Sequence, residues 1–244
     1  MNKYVPFKES SFLLVDRIAH ILMLKSFFST EVGLYNGQMG VVLTMSYAFH
    51  KTGKRVYLDF AYDLLDEMLK NIHRDSPINF ASGLCGVAWG IEYLIQNKFI
   101  EGDSTYVCEE IDHEIMSYDP KRIADLSLET GFVGLLRYVT YHLQGALIQG
   151  NKTPFDACYL SDISHKCRCV LDECKSENNF LHELIKYYFR IINNKLASNV
   201  QPDLMSLVSV HKIDDNIELC STQIGLNNGL CGILLNSLEE NSIL

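Results

Sequence analysis

The chain has 244 residues, 48% of them hydrophobic, and a formal net charge of −9. This composition indicates a globular protein that can bury a sizeable core, in one large domain or two small ones. The acidic balance disfavours nucleic acid and anionic membrane surfaces as partners, because both attract basic proteins.

The N-terminal segment has features of neither an export signal nor a membrane span. Residues 1–10 are largely polar, and the apolar stretch 12–28 is interrupted by Asp16, Arg17, His20 and Lys25. This pattern favours an amphipathic helix. Without an export signal, we expect a cytoplasmic protein whose eight cysteines are reduced thiols.

Segments with one charged and one apolar face recur along the chain and predict outer helices. They span residues 9–28, 60–72, 105–118 and 155–174, with 202–211 as a shorter fifth. Their apolar residues recur every three or four positions, which is typical of a helix packed on one side. In 105–118 the predicted apolar face is Val107, Ile111 and Ile115. The predicted charged face there comprises Glu109, Glu110, Asp112, His113 and Glu114.

A G-x-x-G motif alternates with these segments. Its four copies are G-Q-M-G at 37–40, G-L-C-G at 83–86, G-F-V-G at 131–134 and G-L-C-G at 229–232. Their first glycines are 46, 48 and 98 residues apart, so we expect a degenerate copy near Asn179. Each copy leads into an apolar run with few charges, which predicts a buried inner helix.

The alternation predicts an all-α fold of about five outer and inner helix pairs, with G-x-x-G at the inner-helix N-termini. Glycine costs about 1 kcal/mol against alanine inside a helix, so the repeated pairs need a reason. We expect close backbone approach, because inner helices that converge on a common axis crowd where they begin. A functional alternative is that these N-termini offer unpaired N–H groups to an anionic or carbonyl-rich ligand.

The motifs resemble those of the lanthionine synthetase C-like family. The resemblance is carried by the repeat period, and best by residues 83–94 (GLCGVAWGIEYL) and 33–41 (GLYNGQMGV). It implies a single α/α toroid domain over residues 1–244, with an inner helical barrel inside a ring of outer helices. It also implies work on ribosomally made peptides, in which the family's cyclases add a cysteine thiol to a dehydrated serine or threonine and form a thioether.

The resemblance further implies a zinc ion that holds the substrate thiolate. The family's ligands stand directly before glycine pairs, as W-C-x-G and C-H-G. The matching positions here are Ala81 and Asn227-Asn228, and the other motifs follow Tyr35-Asn36 and Glu129-Thr130. None of these is a soft ligand such as thiolate or imidazole. Five units are also fewer than the seven of a full cyclase, so we expect no zinc site, no cofactor and no cyclase activity.

Three functions stay open from the sequence. The first is an accessory, peptide-binding protein of a lanthipeptide-like modification pathway. The second is an enzyme, cyclase-like or carbohydrate-active, with altered chemistry at the rim where the inner helices begin. The third is a scaffold whose acidic outer helices bind a pathway enzyme. The candidate binding residues at the rim are Tyr35, Asn36, Gln38, Ser82, Thr130, Asn227 and Asn228, and the candidate catalytic acids are Glu92 and Glu129.

Three further features need interpretation. Glu92 lies in an apolar run, where a buried carboxylate needs a partner or a raised pKa, unless the side chain reaches the surface. Cys85 and Cys231 share the third place of G-L-C-G, either as a replacement metal or redox site or as small buried apolar side chains. The cysteines between 158 and 174 lack the paired spacing of a zinc site and fit the core of an outer helix.

Overall fold

The computed structural model of the chain is helical throughout the part that it describes. That part comprises residues 7–72, 76–173, 179–194, 201–209 and 219–240, and it contains no strand. Its helices are α1 (Phe7–Phe27), α2 (Gln38–Thr52), α3 (Arg55–Lys70), α4 (Leu84–Gln96), α5 (Ser104–Val107), α6 (Glu109–Met116), α7 (Phe132–Gln149), α8 (Ala157–Glu173), α9 (Asn179–Ile192) and α10 (Leu230–Glu240). The predicted all-α class is therefore confirmed.

The helices follow the order that the repeat predicts. Each of α2, α4, α7 and α10 begins directly after the first glycine of a G-x-x-G motif. Helix α9 begins at Asn179, where the degenerate copy was expected. Helices α1, α3 and α8 correspond to predicted outer helices, and the segment 105–118 is divided into α5 and α6 at Cys108.

The predicted short helix over 202–211 is wrong for its described part. Only a 3₁₀ turn, Met205–Leu207, forms there. Asp203 closes this turn locally, because its side chain accepts from the Met205 N–H and its carbonyl accepts from the Ser206 hydroxyl. Such local bonds compete with continued helix. Residues 210 and 211 lie outside the described residues.

The contacts of the chain divide it into two compact units. The first combines Met1–Ile72 with Asp203–Leu244, and the second is His73–Pro202. In the first unit α10 packs against both α1 and α2, so the last repeat contacts the first. A single domain and the closure of the repeats into a ring both stay predictions.

The burial pattern separates outer from inner helices as expected. Helix α1 buries Val15, Ile18 and Leu22 on one face and exposes the other. In α4, by contrast, every residue from Leu84 to Ile95 is buried. Within the described residues, no helix has the combined length and apolarity that crossing a membrane requires.

Candidate functional site

The loops before the four glycine-motif helices share one backbone geometry. The first helical residue of each donates its N–H to the carbonyl seven residues earlier, at 2.8 Å in all four copies: Gln38 to Glu31, Leu84 to Pro77, Phe132 to Asp125 and Leu230 to Gln223. The next N–H makes the same bond in three copies, at Met39, Cys85 and Cys231. These N–H groups are therefore occupied by the preceding loop and are not free to bind a ligand.

The same close approach explains the glycines. A Cβ on Gly83 would lie 1.9 Å from the Pro77 carbonyl oxygen, and one on Gly131 would lie 2.4 Å from that of Asp125. The second glycine meets the same loop, since a Cβ on Gly40 would lie 2.3 Å from the Leu34 carbonyl oxygen. The expected backbone crowding exists, but the preceding loop causes it, rather than convergence of inner helices.

Neighbouring motif loops are also joined to each other within each unit. The Phe80 and Ala81 N–H groups donate to the Glu129 carbonyl at 3.0 and 2.9 Å. At the equivalent place in the first unit, the Leu226 N–H donates to the Tyr35 carbonyl at 2.8 Å. The motif loops are therefore hydrogen-bonded to each other in pairs through their backbones. We call these loops, with their hydrogen bonds to the helices that follow, the glycine frame.

The frame presents only some of the predicted binding residues to solvent. Exposed side chains are Asn36, Ser82, Glu129, Thr130 and Asn228, and Asn227 is half-buried. Tyr35 and Gln38 are buried, and the Gln38 amide donates to the carbonyls of Ser26 and Ser29 at the end of α1. Gln38 therefore anchors a helix end, and its binding role stays a prediction.

The residues at the zinc-ligand positions do not fit the metal. Ala81 has no side-chain donor atom, and the hydroxyl of the adjacent Ser82 donates to Asn79 Oδ1. Asn227 Oδ1 accepts from the N–H and hydroxyl of Ser209, both at 3.2 Å. Amide and hydroxyl groups in closed turns are poor ligands for zinc, which prefers thiolate and imidazole. Among the described residues, no three His, Cys, Asp or Glu side chains are grouped so that they could hold a metal ion.

The cysteines of the G-L-C-G motifs are placed as apolar side chains. Cys85 and Cys231 are both at most 1% exposed. Burial raises the pKa of the Cys231 thiol to about 12 and that of Cys85 far above its usual range. In this environment each thiol is protonated and packs as a small apolar side chain. In α8 Cys167 is buried, whereas Cys158 is exposed; Cys174 lies outside the described residues.

Glu92 does not reach the surface but joins a buried network that links three helices. Its side chain is fully buried in α4, and its Oε1 lies 2.5 Å from Nδ1 of His142 in α7. The other imidazole nitrogen, Nε2, lies 2.9 Å from Oδ2 of Asp112 in α6. An imidazole can donate to two carboxylates only when both of its nitrogens carry protons. The geometry therefore indicates an imidazolium held between two carboxylates.

The surroundings of the network satisfy the remaining carboxylate oxygens. The Tyr138 hydroxyl donates to Asp112 Oδ1 at 2.5 Å, and the Gln96 amide donates to Glu92 Oε2 at 2.7 Å. Gly145 leaves the space that Glu92 fills, because a Cβ there would lie 2.5 Å from Glu92 Oε2. The network is thus built into the packing of α4, α6 and α7.

One member of the network connects it to the surface. Asp112, although 2% exposed, lines an open cleft of about 450 Å³ together with Asp103, Glu109, His113 and Lys152. This cleft includes residues that follow the C-terminal end of α7, away from the glycine motif at its N-terminal end. Glu129 is exposed and Glu92 is enclosed, so the two candidate acids occupy unlike environments, and their catalytic roles stay predictions.

The network should make stability depend on pH. Burial alone would lower the pKa of His142, but the hydrogen bonds and charges of Asp112 and Glu92 outweigh it and raise the pKa to about 9. Because the folded pKa is raised, this stabilisation is complete below the unfolded value of 6.5 and is lost as the pH rises through about 9. The shift corresponds to about 3 kcal/mol.

Urea unfolding between pH 6 and pH 9.5 measures this dependence. The variant His142→Gln lacks the titrating group, so the difference in unfolding free energy between wild type and variant isolates it. We expect that difference to shrink as the pH rises. Parallel curves for the two proteins would show that His142 is not held as an imidazolium.

Asp112 and His142 were not predicted from the sequence as members of a site. Asp112 belongs to the buried stripe of α6, with Cys108 four residues before it and Ile115 three residues after it. His142 lies likewise four residues after Tyr138 in α7. A polar residue at an apolar helical position is the signal that identifies such a network.

The comparison with family models agrees with the geometry of the motifs. The model described as lanthionine synthetase C-like protein matches residues 29–153, slightly more than half of the chain, and spans the first three glycine motifs. The comparison with curated proteins gave no match. The match therefore agrees with the repeated glycine-motif helices of the described structure. The chain belongs to the lanthionine synthetase C-like family.

Proposed function

We propose that the protein is an accessory, peptide-binding member of a ribosomal-peptide modification pathway and lacks zinc-dependent thioether cyclase activity. The proposal rests on one contrast. The glycine-motif loops keep a common backbone geometry, but the residues at the family's zinc-ligand positions lack metal-binding side chains. The four loops share one hydrogen-bond geometry. The positions that match the family's zinc ligands are occupied by Ala81, Asn227 and Asn228. The proposal includes neither zinc nor any other cofactor, and it places the protein in the cytoplasm.

The exposed side chains of the glycine-motif loops support peptide binding. They offer amide, hydroxyl and carboxylate groups, at Asn36, Ser82, Glu129, Thr130 and Asn228, on loops whose backbones are fixed by hydrogen bonds. A peptide backbone is recognised by such donors and acceptors, and a rigid frame reduces the entropy lost on binding. The carbohydrate-active alternative has less support, because Glu92 already contacts His142 and Gln96.

A peptide that carries one cysteine and one dehydroalanine tests both halves of the proposal. Thioether formation consumes the thiol, which maleimide labelling and mass spectrometry count. We expect the thiol to remain after incubation with the protein and added zinc, while the fluorescence anisotropy of the labelled peptide rises with protein concentration. Thiol loss faster than in buffer would contradict the missing cyclase activity, and unchanged anisotropy would contradict peptide binding.

Matched variants locate the binding surface. The double variant Ser82→Ala/Glu129→Gln alters two exposed residues of the bonded loops in the second unit and should weaken peptide binding about tenfold. The control Glu110→Gln removes one exposed carboxylate of α6 in the same unit, outside the loops, and should leave the affinity unchanged. Equal effects of the two variants would indicate non-specific electrostatic attraction.

A further inference from the structure

The outer face of α1 carries an unusual set of exposed side chains. Leu13, Leu24 and Phe27 are 69%, 66% and 78% exposed, and the adjoining Phe28 is 80% exposed. The rings of Phe27 and Phe28 meet edge to face, with centroids 5.5 Å apart. Large apolar side chains grouped on a surface in this way are typical of an interaction site.

These residues form one continuous face with a basic centre. Positions 13, 17, 20, 24 and 27 follow the helical period, so Arg17 and His20 lie between the apolar ends. Both are exposed. The face is about 21 Å long at 1.5 Å per residue. The opposite face of α1 is buried against α2, α3 and α10 within the same unit, so packing among the described residues of that unit does not use this face.

The acid next to this centre, Asp16, makes its direct contacts with residues of another segment. Asp16 is contacted by the Lys54 ammonium at 2.6 Å, and it also accepts from the Tyr57 hydroxyl. Among the described residues, Arg17 has no ion-pair partner. The face is therefore apolar at both ends and positive in the middle, on a chain whose net charge is −9.

We propose that this face of α1 binds an amphipathic helix of a partner protein that presents an acidic residue between two apolar positions. Charge complementarity determines this choice of occupant. A symmetric contact with a second copy would bring the Arg17 guanidinium of each copy close to that of the other, and like charges placed together are costly. The proposal goes beyond the proposed function, because α1 lies outside the matched residues 29–153 and its exposed face contains none of the candidate binding residues of the glycine-motif loops.

A synthetic helical peptide of about 18 residues, long enough to cover the face, is the probe. It carries leucines along one side and a single glutamate at their centre, and its control carries lysine instead. We expect the wild type to bind the glutamate peptide about tenfold more tightly than the lysine peptide. Equal affinities would overturn the proposal.

Exposed positions provide variants that should leave folding intact, which circular dichroism checks. Phe27→Ser should weaken binding of the glutamate peptide about tenfold, and Arg17→Glu should reverse the preference between the two peptides. The control Val56→Ser, an exposed apolar residue of α3 outside this face, should change nothing. If Phe27→Ser binds like the wild type, or if the wild type forms a dimer that Phe27→Ser abolishes, the face does not have the proposed partner.

Discussion

Replacement of His142 by alanine is expected to lower the free energy of unfolding by about 3 to 5 kcal/mol. The imidazolium lies between Glu92 and Asp112 in a fully buried site. Its removal would leave two carboxylates in the interior without their common counter-charge, which is far more costly than the loss of an exposed ion pair. No exposed histidine of this chain should have a comparable effect.

Urea denaturation followed by the fluorescence of Trp89 measures this loss. Trp89 is the only tryptophan of the chain and is fully buried in the same unit as the network. The matched control is His113→Ala, because His113 is exposed on α6 beside Asp112 and should change stability by less than about 0.5 kcal/mol. Equal losses for the two variants would contradict the imidazolium network.

A double variant tests whether Glu92 and His142 stabilise the fold as one network. The double variant Glu92→Gln/His142→Ala removes one carboxylate together with the imidazolium, so less uncompensated charge remains. Its loss should therefore be smaller than the sum of the two single losses, as expected for residues in one network. An additive result would show that the two side chains stabilise the fold independently.

The second large effect is expected for Gly83→Ala, at about 3 kcal/mol or more of lost stability. The added Cβ would lie 1.9 Å from the Pro77 carbonyl oxygen, which also accepts the first N–H of α4. Backbone atoms cannot move aside as a flexible side chain does, so the loop before α4 must shift. Gly83 is thus required for the close approach between the loop and the start of α4.

Thermal unfolding of Gly83→Ala and of the neighbouring variant Ser82→Ala tests whether Gly83 has a structural role or a ligand-binding role. Ser82 is exposed and loses only its hydrogen bond to Asn79, which costs less than about 1 kcal/mol. A ligand-binding glycine would instead leave stability unchanged and affect only binding. Wild-type stability in Gly83→Ala would therefore contradict the assigned structural role.

The repeat made much of the fold predictable. The spacing of Gly37, Gly83 and Gly131 placed the starts of three inner helices and led to α9 at Asn179. Such positions are predictable because the glycine and its loop form one local unit of fixed length. The carbonyl seven residues upstream is reached without any contribution from distant parts of the chain.

The network was less predictable because it depends on contacts between helices. Glu92 was identified as a carboxylate in need of a partner, but its partner His142 is 50 residues away. Asp112 was assigned to the charged face because its neighbours Glu109, Glu110 and His113 are charged, although it points inward. Gln38 was assigned to the rim for its polarity, yet its amide binds the end of α1. Tertiary hydrogen bonding overrides polarity in both cases.

We propose that this chain retains the glycine frame of its family without the zinc site. The most direct test of this proposal is the zinc content of the tag-free protein, measured by mass spectrometry after incubation with zinc and dialysis against a chelator. We expect zinc to fall to the level of the buffer, because Ala81, Asn227 and Asn228 offer no thiolate or imidazole. Retention of zinc in equimolar amount with the chain would contradict it.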